Sequence, residues 1–289
     1  MINEFAEDVV DQLLTMVGNS PHDCHLLIDG VFLPSITSVV KRWPTPVADR
    51  YALFCERAHG DANTLAASPW LLPITGDTSA LRELLARCNR LPAVTLIRSP
   101  SDVNTLLRRL KRWTVVNCGG VHFNFRYPDT RRLPGIYGVL TDAQRSTLFA
   151  DDAWSFIGRD GRWHHLPPYT APVKTGTVAV DDVADPELSD PQFAALLADS
   201  EADEQLAAIW QDLPENSLAR ASSSPAQAHT WAASALAQAN RLSITDIPER
   251  TRLCTWVLSG DPAQRLTMLK QHGDGASESA LDDLLMDGI

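Results

Sequence analysis

Residues 114–133, TVVNCGGVHFNFRYPDTRRL, decide how this 289-residue chain is read. They spell a strand, a Gly-Gly turn, a second strand and a polar loop carrying Asp129, Arg131 and Arg132. Val121, Phe123, Phe125 and Tyr127 alternate with His122, Asn124 and Arg126, a period of two that sends the apolar set to one strand face. An arginine among strand aromatics requires a counter-charge, because a guanidinium removed from water without one is strongly disfavoured. Asp29 and Asp129 are the candidate partners.

N-terminal to this stretch, short apolar runs alternate with amphipathic ones. HLLI at 25–28, closed by Asp29-Gly30, WLLPIT at 70–75 and AVTLI at 93–97 predict strands. The short, continuous apolar run of the first predicts a central strand covered on both faces. YALFC at 51–55 predicts a further strand. Helices are expected over 3–17, 35–43, 77–90 and 101–111, the third opened by the capping residue Asp77. C-terminal to the stretch, Thr141 with Gln144 fits a capping box. Asp160-Gly161 fits the two-residue turn of a hairpin between 154–158 and 162–166. The pattern predicts an α/β lobe over residues 1–170, its mixed sheet flanked by helices.

Residues 171–188 are acidic and read as a linker, with 177–180 as a strand-like run. From 189 to 289 every pattern is helical: Asp190-Pro191 opens the first helix, an alanine stripe runs from Ala228 to Ala239, and 277–286 forms the last. An all-α bundle lobe follows. Charge divides the same way. Residues 1–170 hold 18 Lys and Arg against 17 Asp and Glu, whereas 171–289 hold 7 against 19.

A net charge of −11 excludes general nucleic-acid binding, which relies on cations that displace counterions. No apolar run is long enough for a membrane span, and the acidic start MINEFAEDVV is no secretory signal. Five scattered cysteines without a C-x-x-C pair fit reduced thiols, hence a cytoplasmic protein. His22, Asp23, Cys24 and His25 are adjacent, as are His164 and His165, but neighbours on a strand point to opposite faces, so no metal site is expected. Gly119-Gly120 joins strand to strand rather than strand to helix, so it is no phosphate loop. No G-x-S-x-G marks a nucleophile.

Several segments, taken in order, resemble one family. They are LLIDG at 26–30, LF at 53–54, SPWLLPI at 68–74, a strand ending in Arg98-Ser99, LLRRLKRW at 106–113 and FRYPDTRRL at 125–133. A helix with Gln144 and Leu148-Phe149 and a strand with Trp154 complete the order, and 239–262 looks like the family's helical lobe. The family is that of the bacterial type VI secretion adaptors, chaperones that load effectors. Here Pro128 precedes Asp129, where the family's central loop places aspartate before proline. The resemblance implies no enzymatic activity and no cofactor. It implies a cytosolic protein that binds a secreted effector protein and helps load it onto a VgrG-type spike protein.

Charge and position then assign roles as expectations. Asp29, Arg126 and Asp129 form an internal clamp. Arg108, Arg109, Arg112, Arg131 and Arg132 form a polar rim that meets the effector, and Trp163 and Tyr169 supply interface aromatics. Two rivals stand beside this reading. One is a hydrolase or phosphotransferase with its site at Asp29, Arg126 and Asp129; the other is an immunity protein that neutralises a toxin.

Overall fold

The structure, a computed structural model, describes residues 1–74, 77–168, 185–221 and 224–272. It forms two compact units, one of Ile2–Leu196 and a second beginning at Leu197. The first is mixed α/β and the second is all-helical, the two classes the sequence predicts.

The α/β unit opens with helix α1 (Val9–Val17), strand β1 (Cys24–Asp29) and three short helices, α2 (Ile36–Lys41), α3 (Cys55–Ala58) and α4 (Ala62–Ala67). Strand β2 (Pro69–Pro73), helix α5 (Thr78–Arg87), strand β3 (Val94–Arg98) and helix α6 (Val103–Arg112) follow. Then come the hairpin β4 (Val115–Cys118) and β5 (Val121–Asn124), helices α7 (Leu133–Val139) and α8 (Asp142–Leu148), and the hairpin β6 (Ala153–Ile157) and β7 (Trp163–His165).

Five strands form one sheet in the order β2-β1-β3-β6-β7, and every neighbouring pair is antiparallel. The sheet is therefore not the mixed one expected. The alternation of strand and helix does make β2 and β3 run the same way, as a β-α-β unit should. β1 lies between them and runs against both, so no two parallel strands touch.

Both faces of the sheet are covered, which explains the unbroken apolar runs. Leu26 and Ile28 face the cluster built with Leu13 of α1, Ile36 of α2 and Leu84 of α5. Leu27, Leu71 and Ile97 face the opposite cluster, with Leu106 and Leu110 of α6, Trp113, Tyr127 and Phe149. The caps follow the sequence signals: Asp77 accepts from Ser79 and Ala80 N–H, Asp102 from Asn104 and Thr105 N–H, and Thr141 with Gln144 completes its box.

Three local expectations are corrected. Residues 51–55 form no strand: after a turn of 3₁₀ helix, Ala52 makes one bridge to Trp70 and α3 begins at Cys55. The first helix starts at Val9, because Asn3 and Ala6 donate their N–H groups to Arg159 and Gly161 O and so lie along the β6–β7 turn. β5 ends at Asn124, which places Arg126 in the following turn, and the β4–β5 hairpin is a separate two-stranded sheet. The apolar face expected along 121–127 is accordingly graded, from Val121 at 55% exposure to Tyr127 at 0%.

Helix α9 (Asp190–Ile209) begins in the α/β unit, where Phe193 packs on Phe123 with ring centroids 4.5 Å apart. In the helical unit its Ala202, Leu206 and Ile209 join a core with α10 (Leu218–Ala221), α11 (Pro225–Arg241), α12 (Ile247–Ser259) and α13 (Pro262–His272). The alanine stripe Ala228, Ala232, Ala235 and Ala239 is fully buried, which lets α11 approach α12 closely. Arg250 ties this core from within: its guanidinium meets Glu201 at 2.5 Å and Ile244 O at 2.8 Å. Within the expected linker, Pro186 and Leu188 hydrogen-bond along β4 at Asn117. The remainder, 171–184 with its strand-like run, and the helix expected at 277–286 lie outside the described residues.

Candidate functional site

The densest charged cluster sits where β1 ends. Strand pairing carries Asp29 to the sheet end, and its side chain is 1% exposed. Gly30 follows because nothing larger fits: a Cβ there would stand 2.2 Å from Ser68 O and 2.5 Å from Ala66 O. Asp29 Oδ1 accepts the N–H of Val31 at 3.1 Å, and Oδ2 receives Arg126 Nη2 at 2.9 Å.

The turn after β5 supplies the rest. Asp129 is buried and accepts from Arg131 three times, from the backbone N–H at 3.1 Å, Nε at 3.0 Å and Nη2 at 2.8 Å. Arg126 Nη2 also lies 3.8 Å from Asp129. Thr130 N–H donates to Pro92 O, which fastens the turn to the segment before β3. Phe32 lies beneath both guanidinium groups, 5.3 Å from Arg126 and 5.2 Å from Arg131, a cation–π contact for each.

Two carboxylates and two guanidinium groups therefore neutralise one another. Burial pushes the Asp29 carboxyl above its usual range, and the Arg126 charge and the Val31 N–H pull it back only in part. A cleft of about 560 Å³ with His22, His25, Tyr51 and Asp102 in its lining opens at the other end of β1, away from Asp29. No group of His, Cys, Asp and Glu that could hold a metal ion occurs among the described residues. No helix among them is long and apolar enough to cross a membrane.

The expected rim residues do not share one surface. Arg108 is exposed, but Arg109 turns inward and pairs with Asp152, at 12% and 0% side-chain exposure. Helical spacing explains the split, since successive residues on α6 differ by about 100° in direction. Burial raises the Asp152 carboxyl and Arg109 opposes it. Arg112 and Arg132 are half-buried, and Arg131 is held by Asp129. Trp163 is a core residue, 9% exposed, with Nε1–H donated to Val9 O at 2.9 Å. Tyr169 lies outside the described residues.

Sequence reasoning missed Phe32 and Asp152. In the sequence Asp152 is half of the adjacent acidic pair Asp151-Asp152, and only its place one residue before β6 hints at burial. Phe32 follows Asp29-Gly30 in a loop, and nothing in its spacing points to two arginines from residues 126–131.

Fold and site define a two-unit protein: an antiparallel α/β unit with an internally neutralised charge centre, followed by helices. Within the α/β unit, residues 24–147 match the family model of DUF4123, a domain of unknown function. No curated protein and no solved structure matches the chain.

Proposed function

We propose that this protein is an adaptor that binds a secreted effector and helps load it onto a VgrG-type spike, acting by binding and not by catalysis. One observation carries the reading. The ordered segments that resemble the type VI adaptors fill residues 26–154, and the DUF4123 match covers nearly the same stretch, 24–147.

The charge centre fits this role. Asp29, Arg126, Asp129 and Arg131 are satisfied by one another and by backbone groups, an arrangement that fixes the β1 end and the 126–132 turn in shape. Contact with the effector then falls to groups that the fold leaves at the surface. Arg108 is such a group, and Arg109, Arg131 and Trp163 are not, because each already serves an internal contact.

The test is co-expression of the full chain with the protein encoded immediately downstream of its own gene, the candidate toxin. Co-purification of the two, together with loss of toxin export when this gene is deleted, is the expected result. A toxin that co-purifies but stays in the producing cell, inhibited, identifies an immunity protein instead.

A further inference from the structure

The β4–β5 hairpin closes through Gly119 and Gly120, at φ +57° and +83°, the positive pair that a two-residue turn of this hand demands. Cys118 and Val121 then form the hydrogen-bonded pair beside the turn, and such pairs recur at every second position. Phe125 N–H accordingly donates to Thr114 O at 2.9 Å. The intervening residues, Asn117 opposite His122 and Val115 opposite Asn124, point their N–H and C=O groups away from the hairpin.

On the β4 side the outward groups of Asn117 are used. Its N–H donates to Pro186 O at 2.9 Å, and its C=O accepts from Leu188 N–H at 2.8 Å. On the β5 side, the backbone groups of His122 and Asn124 have no hydrogen-bond partner among the described residues. The His122 side chain leans back across β4 toward Asp185, at 3.5 Å.

Exposed edges are normally blunted by proline, charge, shortness or cover. β2 has Pro69 and Pro73 at its ends, and Leu53 N–H covers it at Pro69 O. β7 is three residues long and runs into Pro167-Pro168. β5, VHFN, is also short at four residues, but it carries no proline, no carboxylate and no cover among the described residues, and its apolar face is left open at Val121, 55% exposed. Residues 119–128 hold no carboxylate, and Arg126 beyond the strand is 42% exposed.

We propose that the β5 edge is the effector's docking strand: an extended, neutral or acidic effector segment pairs with the backbone of His122 and Asn124. Its alternate apolar residues cover Val121 and the part of Phe123 that Phe193 leaves open, and a carboxylate at its end meets the part of Arg126 that its pairing with Asp29 leaves exposed. The hairpin already takes an extended segment on its other edge, at Pro186–Leu188, by the same backbone chemistry. This inference rests on the adaptor reading and specifies its contact.

The probe is the protein encoded immediately downstream of the chain's gene, the candidate toxin, bound to the full-length protein, with amide hydrogen exchange read at single residues. His122 and Asn124 amides exchange freely in the isolated protein and become protected in the complex. Asn124→Pro removes an outward N–H that the hairpin does not use and weakens toxin binding by about tenfold or more, whereas Asn124→Ala does not. Toxin binding with both amides still exchanging overturns the docking strand and leaves the adaptor reading standing. Absence of toxin binding by the unaltered chain overturns both. Protection that appears in the isolated protein as its concentration rises assigns the edge to a second copy of the chain, and overturns the proposal too. The exchange measurement decides the matter even if the proline variant fails to fold.

Discussion

Arg126 and Asp29 are 97 residues apart in sequence and 2.9 Å apart in the fold, one in the turn after β5 and the other at the end of β1. The contact is asymmetric. Asp29 is 1% exposed whereas Arg126 is 42% exposed and has Asp129 as a second partner. Loss of either member therefore has different consequences.

Arg126→Ala leaves a buried carboxylate with only the Val31 N–H beside it, and a loss of about 2–3 kcal/mol is expected, below the roughly 3–5 kcal/mol for breaking a fully buried pair because Arg126 is partly solvated. Asp29→Asn keeps an acceptor for Val31 and leaves Arg126 to Asp129 and water, so it costs less than about 1 kcal/mol. The double variant recovers most of the loss. The Arg126→Ala defect also shrinks in acid: burial holds the Asp29 carboxyl high, so the folded state takes up its proton first and gains stability as pH falls through the carboxylate range. Urea denaturation of the three variants at neutral and acid pH measures this.

Arg109 and Asp152 test the division of the basic helix. Arg109→Ala strands a carboxylate of 0% side-chain exposure, and about 3 kcal/mol or more is lost. Arg108→Glu, on the exposed face, changes the melting temperature little. Charge reversal at both positions together therefore unfolds the protein rather than probing its surface. Thermal melts of the single variants separate the two arginines before any binding assay is run.

Glycine positions are expected to diverge in the same way. Gly30→Ala drives a methyl group against two backbone oxygens that cannot swing aside, and more than about 3 kcal/mol of destabilisation is expected. Gly119→Ala meets nothing within 4 Å, and its cost of about 1 kcal/mol comes from positive φ alone. A comparison of denaturant midpoints checks the ratio.

The sequence signals that held are local ones. Asp77 and Thr141 with Gln144 each act over two to four residues, and each sits where its pattern placed it. The Asp160-Gly161 turn is displaced: Gly158 pairs with Arg162 and Ile157 with Trp163, so the loop is the three residues 159–161, with Gly161 alone at positive φ. What failed depends on distance. The direction of β1 between β2 and β3 is set by a chain reversal over some forty residues that contain only short helices, and no periodicity encodes that. Residues 51–55 have strand composition but lie against β2 at one bridge, with Cys55 already helical. At the charge centre, aromatic neighbours made it legible that Arg126 needs a carboxylate. That two carboxylates and Phe32 surround it follows only from the meeting of β1 with the 126–132 turn.

His25 supplies the last prediction. It sits in the first half of β1, 4% exposed, and its buried Nδ1 has no hydrogen-bond partner among the described residues. Burial lowers its basicity, and the charge of Asp23 opposes this only in part. Folded protein therefore keeps the ring neutral at a pH where the unfolded chain, near the ordinary value of 6.5, already binds a proton. The stabilisation is complete above that value and is lost as pH falls below it toward the lowered folded value. Wild-type stability should decline from about pH 6.5 downward before most carboxylates titrate. His25→Phe keeps a ring of similar shape, has nothing to protonate and forfeits no hydrogen bond at Nδ1. Its stability should match or exceed that of the wild type at pH 8 and show a flatter decline to pH 5. Denaturant midpoints across that range provide the measurement, and an unchanged slope in His25→Phe would place the acid sensitivity elsewhere in the chain.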